Sequence, residues 1–384
     1  MRRVPPLWGF HRPDGSVGVR NYVAIVATAD AVNPVARRIA SLVKGTVPIY
    51  TAFGRGMKGE DGQRHVRTRA GLAKNPNVAA ALVVGLEPKS AQEIANLVAA
   101  TGKPVEWIAV ETIGGSHNAT TEGARIALQM VITASRIQRE PSAISDLVVG
   151  VECGGSDGTS GIASNPATGQ VADWLVEAGG TVILSERTEI IGGEEILASN
   201  AASATVAEEI RAVVTRTQEH ARQHGIELTN LVADNIEGGL STQEEKALGA
   251  ILKGGTTPLQ EIVGSAEQPS KKGLVFMDAH SPGTENITAL AGGGAQIIIF
   301  STGLGNPIAC PIAPTIKVSG NPNTVVELSD NIDVDVSAII KGEKSIAQSA
   351  EVLYAEFLQV ANGGMTRSEV LGDEEVAISG YCHS

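Results

Sequence analysis

Apolar residues fall into short, nearly unbroken runs, separated by stretches where they recur every three to four positions. NYVAIVAT (21–28), AAALVVGL (79–86) and PVEWIAVE (104–111) show the first pattern and predict strands. The stretches 31–43, 89–101 and 118–138 show the second and predict a helix after each. QREPSA (138–143) is polar, contains proline and reads as a linker. The alternation then restarts. DLVVGVE (146–152) and GTVILSE (180–186) predict strands, with helices over 165–178 and 202–224. GLVFMD (273–278) and AQIIIFS (295–301) predict further strands, and 345–361 a last helix. Near-continuous apolar strands alternating with helices imply parallel sheets covered on both faces. The fold class expected is α/β, as two Rossmann-like α/β units with mostly parallel sheets. An N-terminal domain would cover 1–140 and a C-terminal domain 141–384. The loops at 53–64, 153–164, 187–195, 235–242 and 279–286 border these strands and helices, and in open α/β sheets ligands bind at the carboxyl ends of the strands.

Composition narrows the class. The chain has 384 residues, 42% hydrophobic and 19% charged, as expected for a globular protein with a substantial core. No apolar run approaches the ~18 residues of a membrane span, and MRRVPPLWGF lacks the apolar stretch of a signal peptide, so a cytoplasmic location without membrane contact is expected. Cys153, Cys310 and Cys382 are too few and too widely spaced for a disulfide framework. A net charge of −12 argues against non-specific nucleic-acid binding. The 44 glycines cluster after apolar runs, where backbone turns tightly or approaches a ligand.

The densest candidate chemistry is Glu152-Cys153-Gly154-Gly155-Ser156-Asp157-Gly158-Thr159-Ser160-Gly161, followed by Asn165-Pro166. Free amides and small hydroxyls between a strand and a helix suit a carboxylate or phosphate, while Cys153 and Asp157 offer a soft and a hard metal ligand. A tight turn around a buried cysteine is the plain alternative. Ser185-Glu186-Arg187-Thr188-Glu189 ends the next strand, where carboxylates serve metal binding or acid–base chemistry, or simply a solvated helix start. Cys310 is a candidate ligand or a core cysteine, and Lys317 a carboxylate partner or base. His280 is a base, a ligand or a surface histidine, and Arg20, beside Asn21, suits a carboxylate clamp. No G-x-G-x-x-G opens a first βαβ unit, and P-loop, G-x-S-x-G and C-x-x-C motifs are missing, which disfavours a nucleotide-linked oxidoreductase.

At these residues the chain resembles the large, catalytic part of the altronate/galactarate dehydratase family, which also contains the large subunit of sulfolactate sulfo-lyase. GFHRPDGSVGVRN (9–21), LAKNPNVAAALVVGLE (72–87), ECGGSDGTSGIASNPATG (152–169), SERTEIIGGEE (185–195), GGLSTQEEKALGAILKGG (238–255), GLVFMD (273–278), STGLGN (301–306) and PIAPTIKVSGNP (311–322) carry the resemblance. Dehydratases of the family often carry Gly-Cys where this chain has Gly56-Met57, and Gly-Cys-Glu where it has Gly85-Leu86-Glu87-Pro88. Those loops look closer to the sulfolactate-type subunit, whereas ECGGSD looks closer to the sugar-acid enzymes.

The resemblance implies a metal-dependent hydro-lyase that eliminates water from a sugar acid such as altronate, or a related aldonate or aldarate, to a 2-keto-3-deoxy acid. Release of sulfite and pyruvate from sulfolactate is the alternative. A non-catalytic subunit is a third reading. Iron(II) is the implied cofactor, with manganese(II) or magnesium(II) next. Cys153, Asp157 and Cys310 would hold the metal. Arg20, Asn21, Gly154, Gly155, Ser156 and Asn165 would bind the substrate, and Lys317, His280 and Glu186 would act in catalysis. The family also implies a separate small subunit and a homo-oligomer.

Overall fold

The computed structural model describes residues 6–380, so Cys382 lies outside the described residues. The chain opens with β1 (Leu7–His11) and β2 (Val17–Gly18), then β3 (Tyr22–Ala27), β4 (Thr46–Ile49), β5 (Val78–Gly85) and β6 (Val105–Ala109). The last four form a parallel sheet in the order β4-β3-β5-β6. All eight residues of β5 are buried, because helices cover both faces of the sheet. Proline near the first turn opens the helices Asn33–Leu42 and Pro88–Ala99, where its missing N–H has no partner to lose.

The segment read as a linker contains β7 (Glu140–Ser142), which pairs antiparallel with β1. Its polar, proline-containing composition is that of a short edge strand, and β1, β2 and β7 make a small sheet of their own. Next come β8 (Val148–Cys153), β9 (Thr181–Leu184), β10 (Leu259–Gly264), β11 (Gly273–Asp278), β12 (Ile297–Ser301), β13 (Thr315–Ser319) and β14 (Val334–Asp335). They form a seven-stranded parallel sheet in the order β10-β11-β9-β8-β12-β13-β14. The fold is therefore α/β with two parallel sheets.

From β8 the chain first builds outward on the β9 side, then returns to place β12 on the other side of β8. That reversal opens a crevice at the carboxyl ends of β8 and β12, where open α/β sheets bind ligands.

The two sheets share a core. Val26 and Ile49 from one pack in the same apolar cluster as Ile183, Val275 and Phe300 from the other. Helix Gly59–Lys74 crosses helix Gly283–Gly292 so closely that a Cβ on Gly71 would lie 2.2 Å from the Gly292 carbonyl oxygen. Asn75 donates to the carbonyls of Ala291 and Ala295, and Asn77 to those of Gln296 and Ile312. Among the described residues no helix is long and apolar enough to cross a membrane.

Candidate active site

Two side chains at the end of β8 face opposite ways. In the sheet register Glu152 aligns with Phe300 and Lys317, and Cys153 with Ser301. Aligned residues share a face and neighbours along a strand alternate, so Glu152 lies on the Lys317 face and Cys153 on the other. Beyond β9, Glu186 takes a positive φ of 79°, a strained conformation for a residue with a Cβ. Its Oε2 accepts from the Cys153 amide at 3.3 Å and lies 3.8 Å from the Cys153 sulfur. Three residues on, Glu189 Oε2 stands 3.1 Å from the same sulfur.

Two lysines close the cluster. Lys246 sits on helix Gln243–Ile251, which starts where the Thr242 hydroxyl accepts from the Glu245 amide. Lys253 follows in the single 3-10 turn Leu252–Gly254. Seven positions along a helical path are about two turns, so both side chains reach the same side. Lys253 Nζ donates to the Cys153 sulfur at 3.0 Å, bonds Glu186 Oε2, and lies 3.9 Å from Glu189. Lys246 Nζ pairs with Glu189 at 3.0 Å, and also donates to Asn235 Oδ1 and the Asn230 carbonyl.

Burial sets the proton affinities, and neighbouring charges then split them. The Glu152 carboxyl is driven well above the usual range by burial first and by Glu186 second. Neither of its oxygens receives a donor among the described residues beyond the neighbouring Glu186 carboxyl. Glu186 is pushed up to about 8 by burial and by the charge of Glu189, against the pull of Lys253. Burial also opposes ionisation of Glu189, but Lys246 and Lys253 outweigh it and hold that carboxylate below its ordinary value. Burial, then Glu186 and Glu189, push the Cys153 thiol up. Neighbouring carboxyls of unlike proton affinity are the arrangement that acid–base chemistry requires.

The Cys153 sulfur and one oxygen each of Glu186 and Glu189 lie within 4.8 Å of one another, all buried. A soft sulfur with two hard oxygens suits a first-row divalent ion. Among the described residues Glu186 Oε1 is buried without a hydrogen-bond partner, leaving an acceptor for a cation. The residues present therefore fit a metal.

Beside the cluster lies a cavity of about 350 Å³, whose wall includes Ser156, Asp157, Asn165, Lys246 and Gly249. Lys246 belongs to both cavity and cluster. Asn165 donates to the Gly249 carbonyl, while its buried Oδ1 has no partner among the described residues. A larger groove of about 940 Å³ lies at the opposite, amino-terminal ends of β5 and β6, lined by Ala79, Val105 and Arg125 among others. It contains none of the clustered acids, and chemistry rather than volume selects the smaller cavity.

Cys153 and Glu186 come together as one group, and Ser156 and Asn165 line the adjoining cavity. Asp157 is also on that wall but outside the donor set. Its Oδ1 accepts from the amides and hydroxyls of Thr159 and Ser160, and its Oδ2 from Asn321. Gly303 makes room for that carboxylate, since a Cβ there would lie 2.1 Å from Asp157 Oδ1. Gly154 and Gly155 lock to the same loop: the Gly154 amide donates to Ser301, and the Gly155 carbonyl accepts from Gly303 and Leu304.

The remaining candidates stand apart from the donor set. Lys317 lies on the other face, over the Phe300 ring at 3.5 Å and bonded to the Ile308 carbonyl. Cys310 is in the apolar core with Ile312 and Ala313, where burial pushes its thiol up to about 12. His280 bonds Arg64 at 2.7 Å, and burial, then Arg187 and Arg64, hold it down to about 3. Arg20 is committed to a bidentate pair with Glu369 at 2.8 and 2.9 Å. Asn21 accepts from Arg12 and donates to the Ala134 carbonyl. Sequence alone gives three site residues no role of their own: Glu189 enters only as one carboxylate of the SERTE run, Lys246 only within the segment 238–255, and Lys253 not by name. The one signal for Lys253 was a lone charge inside the otherwise apolar and glycine run GAILKGG.

Residues 144–382 match the family described as D-galactarate/altronate dehydratase, C-terminal. Residues 9–135 match D-galactarate dehydratase/altronate hydrolase, second domain. The chain is 39% identical over 375 residues to the (2R)-sulfolactate sulfo-lyase subunit beta of Chromohalobacter salexigens, covering 97% of this chain and 96% of that protein. It is 30% identical over 385 residues to the altronate dehydratase of Escherichia coli, covering 96% of this chain and 76% of that one. The altronate dehydratase of Bacillus subtilis is likewise 30% identical, with 96% and 76% covered. These relatives are eliminating enzymes, and the chain is a lyase. It belongs to the D-galactarate/altronate dehydratase family.

Proposed function

We propose that the chain eliminates a leaving group β to the carboxylate of a small 2-hydroxy acid, with a divalent metal, iron(II) first, as cofactor. The observation that carries this reading is the buried Cys153–Glu186–Glu189–Lys253 cluster, joined through Lys246 to a cavity at the strand-order reversal. A proton α to a carboxylate is weakly acidic, and its removal places enediolate-like charge on the substrate. A metal held by Cys153, Glu186 and Glu189 would supply Lewis acidity to stabilise that charge. Lys246 draws the substrate carboxylate to the cavity wall, and Asn165 Oδ1 accepts a bond from a substrate hydroxyl. Glu186 takes the proton at Oε1 and shares it with Glu152.

Sulfolactate is the first substrate to test. The 39% relative supports it, as do the Gly56-Met57 and Gly85-Leu86 loops without cysteine. Sugar-acid dehydration is the second reading, favoured by the ECGGSD motif and by the dehydratase relatives at 30%. Sulfite departs without a proton, whereas water needs one. The relative's designation as subunit beta supports a second, small chain as partner. A homo-oligomeric assembly in the cytoplasm completes the reading.

The deciding experiment is an anaerobic assay of the iron(II)-loaded chain, alone and with any co-encoded small chain, on sulfolactate, altronate and galactarate. Sulfite with pyruvate is the expected product pair, and 2-keto-3-deoxy acid formation would favour the second reading. No elimination from any 2-hydroxy acid would overturn both.

A further inference from the structure

We infer that Lys253 is a built-in counter-cation, which holds the Cys153–Glu186–Glu189 pocket together until a divalent ion displaces it. The inference rests on the reading that this pocket takes a metal. The Lys253 side chain is 1% exposed, and its ammonium touches each member of the donor set: the Cys153 sulfur at 3.0 Å, Glu186 in a direct bond, and Glu189 at 3.9 Å. A first-row ion sits about 2.0–2.3 Å from sulfur and oxygen ligands. Donors that lie within 4.8 Å of one another leave room at their centre for one cation, either the ammonium or the ion.

The surroundings permit the exchange. The backbone around Lys253 is anchored, because Asp173 accepts from the Thr256 and Thr257 amides just beyond it. The movement therefore falls to the side chain, a compact charge on a flexible four-carbon stem. Glu152 interacts electrostatically with Lys253, and its two buried oxygens, which receive no donor among the described residues beyond the neighbouring Glu186 carboxyl, offer the displaced ammonium new acceptors. The same ion pair explains how a cluster of three buried carboxyls and a thiol folds before any metal arrives. Removing one partner of a buried pair leaves the other uncompensated, so losing Lys253 weakens the metal-free protein while freeing the pocket for a metal.

The test uses the full chain, purified anaerobically without metal, and cobalt(II) as probe. Binding is read from thiolate-to-cobalt absorption and chelator competition, and melting is followed with and without cobalt(II). Lys253→Met should bind cobalt(II) at least about tenfold more tightly than the wild type. Its metal-free form should melt lower, and cobalt(II) should raise its melting temperature by more than it raises that of the wild type. Cys153→Ser in either background should remove the absorption band. Equal or weaker binding by Lys253→Met overturns the inference while leaving the metal reading intact. If neither protein binds cobalt(II), both fail together. Lys253→Gln, which keeps a hydrogen-bond donor, stands in if the methionine variant does not fold. Failure of cobalt(II) to rescue refolding of both variants also overturns the inference.

Discussion

The sulfur of Cys153 and a carboxylate oxygen of Glu189 stand 3.1 Å apart, although 36 positions separate them along the chain. The contact exists because β8 and β9 are neighbours, so that both loops leave the sheet at the same edge. Cys153→Ser replaces a soft donor with a hard, shorter one. The variant should lose bound metal, and kcat/KM should fall by about 100-fold or more, with the fold retained. Metal analysis, steady-state kinetics and circular dichroism check this. Full metal content with full turnover would remove Cys153 from the ligand set.

Glu186→Gln keeps the shape and the strained backbone while removing the ability to take a proton. If Glu186 moves the substrate proton, kcat should drop by roughly 10²–10⁴-fold, with KM changed much less. An equal loss in kcat/KM carried entirely by KM would make Glu186 a binding residue instead.

Arg20 is expected to matter for stability rather than for substrate. Its pair with Glu369 is buried, and Arg20→Met leaves that carboxylate uncompensated, costing about 3–5 kcal/mol. Urea unfolding at pH 7 measures the loss, and KM of the folded fraction should be unchanged. Burial opposes ionisation of Glu369, but bonds from Arg20 outweigh it and its pKa is lowered. The stabilisation is therefore complete above the ordinary glutamate value of 4.5 and disappears as pH falls through the lower folded value. Glu369→Gln should flatten that acid limb.

Lys317 gives a slope of the same sign at higher pH, but from a destabilising burial rather than a stabilising pair. Burial pushes it down to about 7 from the ordinary 10.5, against the attraction of Glu152, Asp333 and Asp373. Between those values the unfolded chain holds a proton that the folded chain lacks. The cost of burying Lys317 is thus absent above 10.5, grows as pH falls and is complete below 7. Wild-type stability should gain up to ~1.4 kcal/mol per pH unit relative to Lys317→Met across this window. Parallel stability curves for the two proteins between pH 7 and 9.5 would refute the assignment.

The parts legible from sequence are those where one local signal suffices. Eight consecutive buried residues mark β5, and a glycine-rich run after an apolar strand marks the Cys153 loop. The strand β10 was not legible, because Gln260 and Glu261 interrupt its apolar pattern at the edge of the sheet. Helix Gly59–Lys74 was only partly legible, since its first turns carry glycine and charge and read as loop. Glu189 and Lys253 join the site only once β8 and β9 are known to be adjacent. Strand order is a long-range property, and no local period encodes it. Arg20 looked like a clamp because its partner, Glu369, is 349 positions away.

At the crossing of Gly71 over Gly292 the contact is main chain against main chain. Helix Gly59–Lys74 cannot acquire a side chain at Gly71 without moving away from helix Gly283–Gly292, whereas a Cβ on Gly292 would meet Ala266 at 2.9 Å. Chimeras that combine the first half of one family member with the second half of another should therefore assemble only when the parent of the first half keeps glycine at position 71. Breeding new specificities in this scaffold would proceed by exchanging strand-end loops rather than halves.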